Sequence, residues 1–256
     1  MAITLPKGKV AAETQDPKNL ILFGSPKVGK TTLLAELPNS LLVDMEQGST
    51  FISACKVSIN SIKEIQELVK AIKDAGNPYK FIVLDTITAL AEMVRPLAIK
   101  DFLITEDGEK YLAKLKLQGK SEKDINLDLL PFGKGFTLVK EAMSKVIKLF
   151  ASVCENVIIV GHVKLTQIET ETATDITKSL DLAGQAKRYF ASQSDAIGYI
   201  FRDENSNLVI DFRSDAVECG ARPKHLANKV ITVCERTEDG EFISHWSRVF
   251  PSLKNN

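Results

Sequence analysis

Apolar residues along this chain fall into short dense runs separated by amphipathic stretches. Leu20 to Phe23, Ser40 to Val43, Phe81 to Leu84 and Val157 to Val160 each read as a buried strand. The runs end in Gly24, in Asp44 and Glu46, in Asp85, and in Gly161-His162 respectively. Between them the spacing changes to that of helices. Thr31 to Leu37 is one, stopped at Pro38, and Ser61 to Ala75 is another. The latter carries Ile62, Ile65, Leu68, Val69 and Ile72 on one face, with Ser61 as cap and Gly76 as stop. Thr88 to about Lys100 also has helical character, and Pro96 should kink or break it. Helical periodicity returns from Phe136 to Val153 and over 183–192. Further strands are expected at 195–202, 207–213, 229–235 and 241–246, the last two joined near Asp239-Gly240 as an antiparallel pair. Strand alternating with helix predicts an α/β domain, a mostly parallel sheet sandwiched by helices with an antiparallel C-terminal edge. Two stretches break the pattern. Residues 101–133 are lysine-rich, contain Gly108, Gly119 and Gly133, and read as an insertion or mobile loop with a helical piece around 109–118. Residues 164–182 are rich in Thr, Glu and Asp, show no apolar period, and read as a long loop; 163–183 is the expected second mobile segment.

Composition narrows the class without naming a function. The 256 residues include 33 basic and 33 acidic side chains, for a formal charge of zero, with 44% hydrophobic and 26% charged residues. These values exclude wholesale disorder and collagen-like or coiled-coil architecture, and the length suits one α/β domain. No apolar run reaches the ~18 residues of a membrane span, and the first sixteen residues lack the apolar core of a secretory signal. Cys55, Cys154, Cys219 and Cys234 are far apart and form no CxxC pair, so a reduced, cytoplasmic chain is expected. Neutrality argues against a polybasic nucleic-acid coat but leaves room for a local basic groove.

The candidate chemistry sits between the first strand and the first helix. Gly24-Ser25-Pro26-Lys27-Val28-Gly29-Lys30-Thr31 fits the pattern G-x-x-x-x-G-K-[ST], and Thr32 follows. Such a match should arise by accident in roughly one chain in a hundred of this length, and the strand–loop–helix context makes accident rarer still. Glycines let the loop wrap a polyphosphate with its N–H groups pointing inward. Lys30 would supply a charge for the β- and γ-phosphates, and the Thr31 hydroxyl would complete a Mg²⁺ shell. Asp85, at the C-terminal end of a buried parallel strand, reads as a metal-holding carboxylate, or more plainly as a helix cap. Glu46 follows the first strand after the P-loop helix, where a carboxylate could orient and deprotonate an attacking water; the bland reading is a solvated loop acid. Asp44 reads as support for that loop. His162 could sense the γ-phosphate, or be a satisfied structural histidine.

Together these segments resemble the RecA-type ATPase core. LLVDMEQGS resembles the family's strand bearing its catalytic glutamate, and FIVLDTITAL resembles its Walker B strand. GQAKRYFASQSDAIGYI (184–200) resembles the segment after its second DNA-binding loop. The resemblance covers about residues 18–235. The compact length most resembles the short, core-only, single-strand annealing ATPases of bacteriophages, relatives of the recombinases that lack their extra domain. The resemblance implies ATP and Mg²⁺ as cofactors, ATP bound at a subunit interface in a ring or filament, single-stranded DNA as partner, a role in annealing and homologous recombination, and a host-cytoplasmic setting. A single-strand binding protein is a further implied partner. A neighbouring subunit would then supply a cation in trans, from Lys187, Arg188, Arg222, Lys224 or Lys229.

Two departures bear on DNA binding. The segment 165–182 holds Glu169, Glu171, Asp175 and Asp181 against Lys178, whereas a phosphate-binding loop should be basic. DNA contact would then fall on Lys164 or on the stretch Lys110, Lys114, Lys116, Lys120 and Lys123, near Tyr111 and Phe132; a solvated helix face is the plain alternative. Phe132 to Phe136 could be taken for another phosphate loop, but no strand enters it, and it reads as a hinge. Neutrality and the acidic segment suit a second function, a RecA-like ATPase that drives or regulates a protein partner without DNA. A small-metabolite kinase is disfavoured by Glu46 and by the lack of an arginine-rich lid.

Overall fold

The computed structural model describes residues 15–169, 174–213, 217–237, 239 and 241–255. Its frame is a sheet whose central strands β1 (Asn19–Gly24), β2 (Ser40–Asp44), β4 (Phe81–Asp85), β5 (Asn156–Glu169) and β7 (Ala196–Arg202) run parallel. β3 (Lys56–Ser58) adds a short parallel edge beside β2. β8 (Leu208–Asp211), β10 (Val230–Arg236) and β11 (Phe242–Ser244) extend the other side in antiparallel fashion. The order is β3-β2-β4-β5-β1-β7-β8-β10-β11; β6 (Thr174–Leu180) pairs with β5 and β9 (Gly220–Ala221) with β7. This is the expected α/β domain, a mostly parallel sheet sandwiched by helices with an antiparallel C-terminal edge. The strand carrying His162 separates the P-loop strand from the strand carrying Asp85.

Alternation along each central strand feeds two cores. Ile21 and Phe23 face one layer, with α2 (Ile62–Asp74), α3 (Ile87–Met93), α4 (Arg95–Leu103), α6 (Lys134–Ala151) and α7 (Gly184–Gln193). Leu20 and Leu22 face the other, with α1 (Lys30–Ala35) and the C-terminal residues Trp246, Val249 and Phe250. Burying each such large side chain is worth about 1.5–3 kcal/mol, which explains why the strands are apolar on both faces. The lone tryptophan, Trp246, is 3% exposed and donates its indole N–H to Leu33 O at 3.1 Å, tying the C-terminus to the P-loop helix. Ser61 caps α2 by accepting from Glu64 N at 3.3 Å. Pro96 stands in the first turn of α4, where its missing N–H is tolerated, and the predicted single helix is divided at Val94.

Three expectations need correction. The long loop over 164–182 is a hairpin of β5 and β6, in register from Val163↔Leu180 to Glu169↔Thr174. Its β-branched Thr, Ile and Val residues favour a strand; the apolar period is missing because the face that carries Leu165 and Ile176 is open, at 61% and 51% exposed, while Ser179 and Leu180 at the base are buried. Glu171 lies outside the described residues. Residues 101–133 hold more helix than expected. α5 (Glu106–Leu117) starts earlier than 109 because Thr105 caps it, accepting from Gly108 N at 3.1 Å. Short 3-10 turns at Glu122–Asp124, Leu127–Leu129 and Pro131–Gly133 follow, with Ile125, Leu127 and Leu130 buried. The Phe132–Phe136 stretch starts α6, with Gly133 as its N-cap at φ 68°. Finally, β3 and β9, of three and two residues, were too short to leave a pattern. Gly240 of the expected Asp-Gly turn lies outside the described residues, although Thr237 N still donates to Glu241 O at 2.8 Å.

Candidate functional site: the P-loop edge of the sheet

The P-loop leaves β1 at the C-terminal edge of the parallel strands, where open α/β sheets place ligands. Two of its glycines are required by geometry. A Cβ on Gly24 would come within 2.5 Å of Ile200 O on the adjacent strand. Gly29 caps α1 at φ 111°, a backbone conformation that side chains resist. Ser25, Pro26 and Lys27 are exposed, Val28 packs on the core beneath, and Thr32 is exposed beside half-buried Thr31. Lys30 is buried and its ammonium donates to Gly24 O at 3.1 Å and Ser25 O at 3.0 Å, bridging the start of the loop. Burial lowers the Lys30 pKa, and the carboxylates of Asp85 and Glu46 oppose that shift.

Asp85 ends β4 and accepts from Thr31 Oγ1 at 2.7 Å. Burial raises its pKa, and Glu46 and Asp44 push the same way, against the Thr31 hydrogen bond and Lys30. The helix cap that Asp85 might have been is Thr86, whose hydroxyl accepts from Ala89 N at 3.4 Å. Asp85 is thus free to face the P-loop. Its carboxylate and the Thr31 hydroxyl are adjacent hard oxygen donors, a pair that fits Mg²⁺, which characteristically takes one or two protein oxygens and completes its octahedron with phosphate and water.

Glu46 follows β2, and three groups organise it. Asp44, 3% exposed, accepts from Glu46 N at 3.1 Å, Gly48 N at 3.3 Å, Ser49 N at 2.9 Å and Ser49 Oγ at 2.5 Å. Burial alone would raise the Asp44 pKa, but these hydrogen bonds outweigh it and hold the carboxyl below its ordinary value. Thr86 Oγ1 donates a short hydrogen bond to Glu46 Oε1, and His162 Nε2 lies 3.2 Å from the same oxygen. With Glu46 ionised, the proton sits on Nε2 and His162 Nδ1 is left as an acceptor, without a partner among the described residues. Both contacts engage Oε1, which leaves Oε2 for a water. Lys30, Thr31, Asp85, Glu46 and His162 are thereby drawn from α1, β4, the β2 end and β5 into one site.

The remaining predicted residues stand elsewhere. Lys187 pairs with Glu218 at 2.7 Å. Arg222 donates to Ser192 O at 2.6 Å and lies 3.8 Å from Asp195, at the start of β7 and so at the opposite sheet edge from the P-loop. Arg188, Lys224 and Lys229 are exposed. Lys110 pairs with Glu106 at 3.7 Å, while Lys114, Lys116, Lys120 and Lys123 are exposed along α5 and the turn after it. Lys164 is exposed on β5, opposite Ser179. None of these has a hydrogen bond or ion pair to the P-loop among the described residues. Thr86 was legible as the Ser/Thr that follows the Walker B aspartate, but its bond to Glu46 was not; Arg202, whose guanidinium lies against Gly29, left no signal.

No helix of the described residues is long and apolar enough to cross a membrane. None of the curated proteins matches the chain in sequence. Among solved structures, a KaiC-like protein from the hyperthermophilic archaeon Pyrococcus horikoshii is similar at a TM-score of 0.45 and 12% identity, over 89% of each chain. The AAA domain family matches residues 16–237, most of the length and all of the site just described. The chain belongs to that family and carries a P-loop ATPase domain.

Proposed function

We propose that this protein hydrolyses ATP with Mg²⁺, binds single-stranded DNA, and promotes annealing in homologous recombination, with ATP bound where subunits meet. The observation that carries the hydrolytic part is the Glu46 carboxylate, held by Thr86 and His162 with one oxygen open beside the P-loop. Lys30 turns from its loop carbonyls to the β- and γ-phosphates. Glu46 Oε2 takes the proton of the attacking water. His162 reports the state of Glu46 to the hairpin, because His162 lies on β5, the strand that continues into the hairpin's first arm. Thr31 and Asp85 would hold magnesium, which would supply positive charge beside the phosphates. A cation from a neighbouring subunit, among Arg188, Lys224 and Lys229, completes the charge balance.

DNA binding rests on the resemblance and on the exposed lysines Lys114, Lys116, Lys120 and Lys123, of which Lys120 acts on Asp124. A protein partner in place of DNA is favoured by one observation: Leu117, Leu129 and Phe132 in the same segment are at least 75% exposed. A gel-shift titration of a ~40-nucleotide oligomer at low and moderate salt, with and without ATP, separates the readings. Retardation that weakens with salt is expected. No retardation at low salt leaves the protein-partner reading in its place.

A further inference from the structure

Arg202 closes β7 on the flank of the P-loop away from Glu46 and His162. β7 pairs with β1 through Gly24↔Ile200, so Arg202 reaches two residues beyond the first glycine of the loop. Its Nη2 lies 3.0 Å from the position that a Cβ on Gly29 would take, with Leu208 Cδ1 at 3.3 Å. The guanidinium carbon stands 5.7 Å from the ring centre of Phe242, which steadies its plane.

A structural role explains little of this. Arg202 Nη1 donates to Ser206 O at 2.7 Å, in the turn between β7 and β8. That turn is held without it. Asp203 accepts from Asn205 N and Asn207 N at 2.9 Å each and from Asn207 Nδ2 at 3.0 Å, and Asp203 N donates to Asn207 O at 3.1 Å. Arg95, Arg213, Arg222 and Arg248 each meet a carboxylate, whereas Arg202, like Arg188 and Arg236, has no ion pair among the described residues, and Arg202 stands against Gly29. An arginine with no carboxylate, its face stacked and its fork open toward a phosphate loop, is arranged for an anion.

We propose that Arg202 is a nucleotide-binding residue that meets the α-phosphate end of the phosphate chain. This rests on the reading of the P-loop as an ATP site. The direction follows from strand order. Asp85, Glu46 and His162 come from β4, the β2 end and β5, on one side of β1, and fix the γ-end there. The nucleoside end then points to the other side, over β7 and β8, where Arg202 stands.

The test is a titration of ATP and of ADP, with magnesium, against the parent, Arg202→Ala, Arg202→Gln and Lys30→Ala. Arg202→Gln can still donate to Ser206 O, so it removes the charge while keeping the turn contact. Both Arg202 variants should weaken ATP and ADP alike, by roughly tenfold, and raise KM with little change in kcat. Loss confined to ATP would place Arg202 at the γ-phosphate and overturn the assignment. Unchanged affinity for both nucleotides, with binding lost in Lys30→Ala, overturns the proposal and leaves the ATP site standing. Binding retained in Lys30→Ala removes the reading of the P-loop on which the proposal rests.

Discussion

Replacing Asp44 by alanine should uncouple the catalytic loop from the fold. The side chain is 3% exposed and gathers four donors, so its removal strands whichever of them water cannot reach. Glu46 and Gly48 are exposed, and their N–H groups can turn to solvent at little cost. Ser49 is 2% exposed, and its N–H and hydroxyl cannot. Losing a charged acceptor for two buried donors costs about 2–4 kcal/mol, given roughly 1.5–3 for one such bond and incomplete additivity. The assay is urea unfolding followed through Trp246 emission, with the midpoint lowered and the slope unchanged. The hydrolytic consequence should run in parallel. With its amide anchor gone, Glu46 moves off position, and kcat should fall roughly ten- to a hundredfold while ATP affinity holds. A variant within about 0.5 kcal/mol of the parent would show that the Asp44 contacts contribute nothing net, and the account of this loop would be wrong.

Three further outcomes are expected. The stability gap between the parent and Asp44→Ala should depend on pH: hydrogen bonding depresses the folded-state pKa of Asp44, so the gap is full at neutral pH and closes as pH falls below the ordinary carboxylate value of about 3.9. Glu46→Gln should bind ATP as the parent does and lose hydrolysis by about a hundredfold or more in single-turnover assays; full hydrolysis would remove Glu46 as the base. Gly24→Ala should cost about 1–3 kcal/mol in urea melts and weaken ATP binding, because its methyl group meets the Ile200 carbonyl, a backbone atom that cannot rotate away; a neutral result would contradict the close approach of β1 and β7.

Much of this fold was legible in the sequence because burial on both faces leaves an unbroken apolar run, and each central strand is such a run. The P-loop was legible for a different reason. Its glycines answer to backbone geometry, which fixes residue type at fixed spacing. The β5–β6 hairpin was hidden because Leu165 and Ile176, its apolar residues away from the base, are exposed rather than packed, and such a face has no reason to alternate with its opposite. The start of α5 was hidden because Thr105, a single capping residue, decides it. Within the site, Asp85 and Glu46 stood out by their place at strand ends. The bond from Thr86 to Glu46 spans 40 residues, and Arg202 reaches Gly29 from a strand near the other end of the chain. Contacts of that kind belong to the tertiary structure, and no local window contains them.

The continuity of β5 has a mechanical consequence. Up to His162 the strand is clamped by β1, with β4 alongside as far as Val160; from Val163 onward its partner is β6. The base of the hairpin is held as well, because Lys178 O, opposite Leu165, accepts from Glu218 N at 2.9 Å and Lys178 bridges to Val217. At ~3.3 Å per residue, the stretch from Thr166 to Glu169 extends about 13 Å beyond that hold. A tilt of about 10° at Leu165 would displace Glu169 by about 2 Å. One strand thus joins a contact on Glu46, made by His162, to a hairpin that continues past the central sheet. A rotation too small to notice among phosphates becomes, at Glu169, a distance that two spectroscopic labels can measure.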